Sequence, residues 1–279
     1  MNTTAVDGQE IQLRIHRLVP RLLCVVDDVM LAPSMRRLVF GGDDLREPFP
    51  FLPLAVADHV KLVFPEPATG EIHLPAVADG RLVMPPGRPR PLFRDYTVRA
   101  LDRVAGRLTI DFVLHDHGPA GRWARSATTG DQLGFLGPRG SHLYPGGFEN
   151  YLIAGDETAL PAMARWMEEL PAGATAHVFA SLASMAEKVE LPRRAGTTLR
   201  YLDRSVHGPG VLADAVRAFA APVDGLFVWV AGEASAVRPI RSHVRDVLGV
   251  PAGHTDIDGY WKAGVAGLDH HAEDNDDQD

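Results

Sequence analysis

Tyr144-Pro-Gly-Gly-Phe148-Glu-Asn-Tyr151-Leu-Ile-Ala-Gly155-Asp156-Glu157-Thr158-Ala-Leu160-Pro-Ala-Met163 is where this 279-residue chain changes character. A Pro-Gly-Gly turn leads into the apolar run 151–154 and then a small, acidic turn. Leu160, Met163, Met167 and Leu170 follow on one helical face. Downstream the same alternation repeats. Residues 177–180, 199–202 and 226–231 read as strands. Val211, Leu212, Ala215, Val216 and Phe219 form one helix stripe, and Val237, Ile240, Val244 and Val247 another. Strands separated by helices predict a parallel, helix-covered sheet. Upstream the pattern differs. Residues 22–30, 35–40, 59–64, 96–101, 108–114 and 132–136 are short Val/Leu/Ile/Phe runs punctuated by Gly, Pro and Asp, with no helix between them. Six such strands predict a closed antiparallel barrel. Ala105-Gly106 marks a hairpin turn, and the Pro- and Gly-rich stretch 65–91 reads as a loop or ragged hairpin.

The expected order is thus a flexible N-terminus over 1–17, a six-stranded antiparallel barrel over 18–146, a parallel-sheet α/β domain over 147–266, and an acidic disordered tail over 267–279. That tail holds Asp269, Glu273, Asp274, Asp276, Asp277 and Asp279 and no Lys or Arg. The net charge of −8 argues against nucleic acid as a partner. No run approaches a membrane span. The N-terminus has no apolar stretch of the kind a secretion signal needs, so the cytoplasm is the expected location. With one cysteine, Cys24, neither a disulfide nor a cysteine metal site is available, and Cys24 reads as a small buried hydrophobe. No heptad seam argues for a dimer, so a monomer is the default. Trp229 lies in an apolar strand and reads as core; Trp166 falls outside the Leu160/Met163 stripe and reads as surface.

Three constellations carry chemistry. Arg94-Asp-Tyr96-Thr97-Val-Arg99 is extended, so Arg94 and Tyr96 share one face and Thr97 and Arg99 the other. Such residues can clamp a pyrophosphate, stack on a ring and bond a ring nitrogen, or can simply be an edge strand with solvated arginines. Asp111-Phe-Val113-Leu-His115-Asp-His117-Gly118-Pro119-Ala120-Gly-Arg-Trp123-Ala124 runs strand, turn, helix, and offers free N–H groups as an anion seat. His115 and His117 alternate, but no third ligand stands at a recognisable spacing, so no metal is expected. At the carboxyl ends of two α/β strands lie Gly155-Asp156-Glu157-Thr158 and Gly232-Glu233, where an open sheet binds its ligands.

These motifs, followed by Gly137-Pro-Arg139-Gly-Ser141 and Gly259-Tyr-Trp-Lys262-x-Gly264, occur in one order across roughly residues 18–265. In that order they resemble the siderophore-interacting proteins, FAD-dependent ferric-siderophore reductases of the ferredoxin–NADP reductase superfamily. The resemblance implies an FAD-binding barrel and an NAD(P)H-binding α/β domain. It implies that Arg94 faces the FAD phosphates, Tyr96 stacks on the isoalloxazine and Thr97 bonds near its N5. Val113, His115, Gly118, Pro119, Ala120, Trp123 and Ala124 would complete the FAD site. Gly155, Asp156, Glu157, Thr158, Gly232 and Glu233 would line the site for NADPH or NADH, although no Gly-x-Gly-x-x-Gly loop is present. Arg193, Arg194 and Arg204 are candidates for a 2′-phosphate. Lys61, Arg139 and Lys262 would form a cationic pocket for the ferric siderophore at the domain interface; Lys61 and Lys262 are two of only three lysines. Electron transfer needs no protein nucleophile or general acid, so the flavin carries the chemistry. The same residues leave open a flavin reductase, an electron-transfer flavoprotein with another acceptor, and a binding module without redox activity.

Overall fold

The computed structural model describes residues 8–84, 86–88, 90–116, 118–220 and 222–265. His117 and the acidic tail lie outside them, as do residues 1–7 of the expected N-terminus. The chain divides into two compact units, one spanning Gln12–Leu143 and the other taking the residues from Tyr144 onward together with those before Gln12.

The first unit contains β1 (Gln12–Ile15), β2 (Pro20–Ala32), β3 (Met35–Gly41), β4 (His59–Phe64), β5 (Ala76–Ala78), β6 (Arg81–Val83), β7 (Leu92–Thr97), β8 (Ala100–Asp102), β9 (Arg107–Val113), α1 (Pro119–Ser126), β10 (Gln132–Leu136) and β11 (Gly140–Leu143). Seven of these strands form one antiparallel sheet in the order β7-β4-β10-β2-β3-β9-β8. Its outermost strands, β7 and β8, are successive pieces of one chain segment. Between them Val98 donates its N–H to Asp58 O at 2.8 Å, beside β4, and Arg99 donates to Thr109 O at 3.0 Å, on β9. The chain thereby changes neighbours in one step and closes the sheet on itself. The sequence reading counted 96–101 as one strand of six; the structure breaks it at Val98-Arg99, because the two halves bond to opposite edges.

Alternate residues of these strands fill the interior. Leu23, Leu38, Phe40, Val60, Leu62, Ile110, Phe112, Leu133 and Phe135 are fully buried in one cluster. Cys24 falls on the other face. It is half-buried, not the buried hydrophobe expected, and its thiol reaches Gly41 O at 3.3 Å. The hairpin β8–β9 turns through Gly106 at φ +63, with Asp102 Oδ1 accepting the N–H groups of Val104 and Ala105. Within 65–91, β5 and β6 form a separate hairpin. Gln12–Ile15, inside the stretch expected to be flexible, pairs with β11. Ser141 of β11 donates to Asp58 Oδ2 at 2.6 Å, so its oxygen accepts from His16 Nε2 at 2.7 Å.

The second unit is a five-stranded sheet, ordered β14-β13-β12-β15-β16 and parallel throughout. It comprises β12 (Asn150–Gly155), α2 (Leu160–Glu169), β13 (Thr175–Leu182), β14 (Thr197–Asp203), α3 (Arg204–His207), α4 (Val211–Arg217), β15 (Leu226–Glu233), α5 (Ala234–Ser242) and β16 (Thr255–Trp261). The first strand is central and successive strands add outward on either side, so the topology reverses between β12 and β15. β16 was not read from the sequence, since Thr255-Asp-Ile-Asp-Gly buries only Ile257 and looks like a polar loop. No helix among the described residues is long and apolar enough to cross a membrane.

Trp166 corrects the sequence reading. It is fully buried, with ring centroids 5.1 Å from Tyr144, 5.7 Å from Tyr151 and 6.1 Å from Phe227. Residues 160–167 of α2 are all buried, so this helix has no solvent face at its start and a one-stripe reading fails. Trp166→Ala is expected to destabilise the protein by about 3–5 kcal/mol, the cost of a large buried cavity. Urea denaturation checks this through a lowered midpoint.

Candidate functional site

β7 carries Arg94, Tyr96 and Thr97 into the closure of the barrel. The Tyr96 ring packs 4.5 Å from Phe112 and 6.5 Å from Phe64, and burial pushes its phenol well above the ordinary range. Arg94 is half-buried, and its Nη1 donates to Phe93 O at 2.6 Å. Thr97 is buried, and its hydroxyl has no hydrogen-bond partner among the described residues. An orphaned buried hydroxyl costs about 1–3 kcal/mol, which makes Thr97 a candidate contact for a ligand atom.

Val113 ends β9, and the exposed His115 follows. Gly118 then takes φ +95, which only glycine adopts without strain. Pro119 opens α1, whose first N–H groups receive no side-chain cap. A Cβ at Gly121 would lie 2.4 Å from His115 O, so the first turn of α1 is pressed onto the end of the strand. Ala120 and Ala124 are buried beneath it. Trp123 packs 5.8 Å from Phe64 and 6.2 Å from Phe112, the same two rings that hold Tyr96. The fold thus brings the β7 motif and the α1 motif onto one aromatic cluster.

The far end of α1 is held by a residue that sequence reasoning missed. Arg36 donates Nη1 to Ala124 O at 2.8 Å and Arg125 O at 3.0 Å, and Nη2 to Ala127 O at 2.9 Å, while Asp28 takes its Nε. A cation on the last carbonyls suits the negative end of the helix dipole. Its signal in the sequence is only a charged pair across β2 and β3, which looks like any solvated strand face. FAD needs a phosphate seat, a ring platform and a partner for its ring edge. The uncapped start of α1, the Tyr96 ring and the orphaned Thr97 hydroxyl are residues that fit it.

At the strand ends of the second unit, the acidic residues serve the protein's own backbone. Asp156 accepts from Thr158 N at 2.9 Å, Thr158 Oγ1 at 2.6 Å, Glu233 N at 2.9 Å and Trp261 Nε1 at 2.8 Å. One buried carboxylate therefore ties the ends of β12, β15 and β16. Glu157 holds Arg204 Nη2 at 2.9 and 2.8 Å and accepts the N–H of Ala183. Glu233 accepts from the Ser235 hydroxyl, from Ala236 N at 3.0 Å and from Ala263 N at 3.2 Å. Burial alone would raise the Glu233 carboxyl; these hydrogen bonds outweigh it and hold it below the usual carboxylate range.

The glycines here have reasons inside the fold. A Cβ at Gly155 would sit 2.4 Å from Ala159 Cβ and 2.7 Å from Ala231 O, and one at Gly232 would sit 2.8 Å from Asp156 Oδ2. Of the arginines considered for a 2′-phosphate, Arg204 is taken by Glu157, and Arg194 caps Ala174 O at 2.9 Å and Pro171 O at 2.5 Å. Arg193 is exposed.

Of the expected cations, Lys61 and Arg139 belong to the first unit and Lys262 to the second. Lys61 pairs in register with Leu136, three residues before Arg139, so β4 and β10 carry the two to the same end of the barrel. Lys61 Nζ bonds both oxygens of Asp95, at 2.9 and 2.8 Å. Arg139 is exposed, and its carbonyl accepts the N–H of His16 at 2.9 Å. Lys262 is half-buried and bridges to Val265 just beyond β16.

Asp156→Ala leaves the N–H groups of Thr158, Glu233 and Trp261 without their acceptor. It is expected to cost about 3 kcal/mol or more in urea unfolding, with Asp156→Asn intermediate.

Two family profiles match the chain: a siderophore-interacting FAD-binding domain over residues 24–142, and a siderophore-interacting protein domain over 148–264. Ferric vibriobactin reductase of Vibrio cholerae is 30% identical over 263 residues, covering 93% of this chain and 95% of its own. NADPH-dependent ferric-chelate reductase of Escherichia coli is 32% identical, covering 78% and 84%. A siderophore utilization protein from T. fusca superimposes with a TM-score of 0.86 at 43% identity, over 94% of this chain and 100% of its own. The chain belongs to the siderophore-interacting protein family of FAD-binding oxidoreductases.

Proposed function

We propose that this protein passes electrons from NAD(P)H through FAD to iron(III) held in a siderophore, and that iron(II) is released in the cytoplasm, where the reduced dinucleotide is replenished. The observation that carries the reading is the buried, unpartnered Thr97 hydroxyl, one residue from the Tyr96 ring and on the strand whose aromatic neighbours also hold α1. The relatives named for ferric-siderophore and ferric-chelate reduction, one of them NADPH-dependent, support the substrate and the reductant.

Bound FAD supplies the exchange between a two-electron donor and a one-electron acceptor. The chain's own residues position it. Thr97 donates its hydroxyl hydrogen to the ring edge, the Tyr96 ring offers a face for stacking, and Arg94 with the start of α1 neutralises the phosphates. The carboxyl ends of β12 and β15 take the dinucleotide at the point where the sheet order reverses. There the carboxylates of Asp156 and Glu233 hold the loops, so the contribution to binding comes from the shape and backbone of the turn. Lys61 and Arg139, carried to one end of the barrel, contact the siderophore. Oxygen donors that are hard bases hold iron(II) less firmly than iron(III), so one electron loosens the metal.

Arg94→Ala removes a charge-assisted contact of roughly 1.5–3 kcal/mol, a tenfold or greater loss of FAD affinity. The variant is expected to shed flavin absorbance on desalting while unfolding at the same urea concentration as the parent, and Thr97→Ala to do so more weakly. Full flavin occupancy in both variants overturns the assignment. With flavin loaded, NAD(P)H oxidation should be faster with a ferric siderophore than with free flavin or a ferredoxin; the reverse order favours the other acceptors.

A further inference from the structure

The cross-strand pair Lys61–Asp95 changes what the barrel offers to an incoming iron chelate. The two residues face each other in the register of β4 and β7, and the ammonium contacts both carboxylate oxygens, at 2.9 and 2.8 Å. The pair is open to solvent: the Lys61 side chain is 48% exposed and that of Asp95 26%. Asp95 and Thr97 alternate along β7 and share a face, roughly 7 Å apart. The ion pair therefore stands one strand step from the orphaned hydroxyl assigned to the flavin edge. A chelate within electron-transfer reach of that edge meets the pair.

An anion approaching this spot meets a cation whose charge is already balanced at contact distance. The attraction of Lys61 and the repulsion of Asp95 nearly cancel beyond a few ångströms, and the chain as a whole carries −8. A ferric tris-catecholate has three uncompensated negative charges. A ferric tris-hydroxamate has none, because three singly charged ligands balance iron(III).

We propose that Asp95 is a specificity-determining residue: by masking Lys61 it directs this protein to ferric siderophores of low net charge, the tris-hydroxamate class, over the trianionic tris-catecholates. The proposal rests on the reading of Lys61 as a siderophore contact. It differs from a simple cationic pocket in predicting that removing an acid, not adding a base, opens the site to highly charged chelates.

The test uses flavin-loaded protein and the redox-inert gallium(III) analogues, a neutral tris-hydroxamate and a trianionic tris-catecholate, with Kd read by calorimetry. The parent is expected to bind the neutral chelate more tightly. Asp95→Asn keeps the size and loses the charge. It should tighten the trianion about fivefold at low salt, leave the neutral complex within about twofold, and lose the gain as ionic strength shortens the range of the charge. Adding Lys61→Met to Asp95→Asn should abolish the gain. If Lys61→Met alone weakens binding of either chelate but Asp95→Asn leaves their affinity ratio unchanged, charge masking is refuted and Lys61 remains a siderophore contact. If neither Lys61→Met nor the double variant alters either Kd, the contact itself is refuted and the masking with it.

Discussion

Asp58 is the residue on which the barrel turns. Its carbonyl receives Val98 at the step where the chain leaves one sheet edge for the other, and its carboxylate holds Ser141, which in turn holds His16. Closure in a sheet this small demands a corner, and the corner must satisfy every backbone group it displaces. The consequence falls on Thr97, the last residue before the corner. Its backbone is committed to β4 and its side chain is sealed in, yet its hydroxyl finds nothing to bond among the described residues. The orphaned hydroxyl and the closure are one feature: the strand that shuts the barrel also presents the atom proposed to meet the flavin.

Charge in the second unit follows a different logic. Acids at the ends of parallel strands would repel a dinucleotide if they faced it. Asp156, Glu157 and Glu233 instead accept N–H groups from their own and neighbouring loops and, in one case, an arginine. Three turns are cross-tied by carboxylates at the carboxyl edge of the sheet.

The order of a β-rich half and an alternating half was plain in the sequence, because periodicity two and periodicity 3.6 leave different apolar spacings. So were the motif segments, since glycines at forced turns and an Arg-x-Tyr-Thr strand stand out locally. What could not be seen was tertiary. Trp166 looks exposed until Tyr144, Tyr151 and Phe227 arrive from elsewhere to cover it. β16 opens on Thr255-Asp-Ile-Asp-Gly with only Ile257 buried, and it becomes a strand by pairing with the edge that β15 offers. Gly155 and Gly232 looked like room for a cofactor, and the structure fills that room with Ala159, Ala231 and Asp156. Lys61 looked like an available cation because its partner lies 34 positions away.

The helix α1 is gripped at both ends, by the close contact of Gly121 with the His115 backbone and by the guanidinium of Arg36 on its last carbonyls. A beam clamped in this way cannot slide or fray to suit an occupant. If α1 seats the flavin phosphates as proposed, that seat stands ready before the nucleotide arrives, and little chain entropy is surrendered on association. Stripped protein should keep its shape and take flavin back at the pace of encounter rather than of refolding, which lets a cell make the chain first and supply its flavin afterwards.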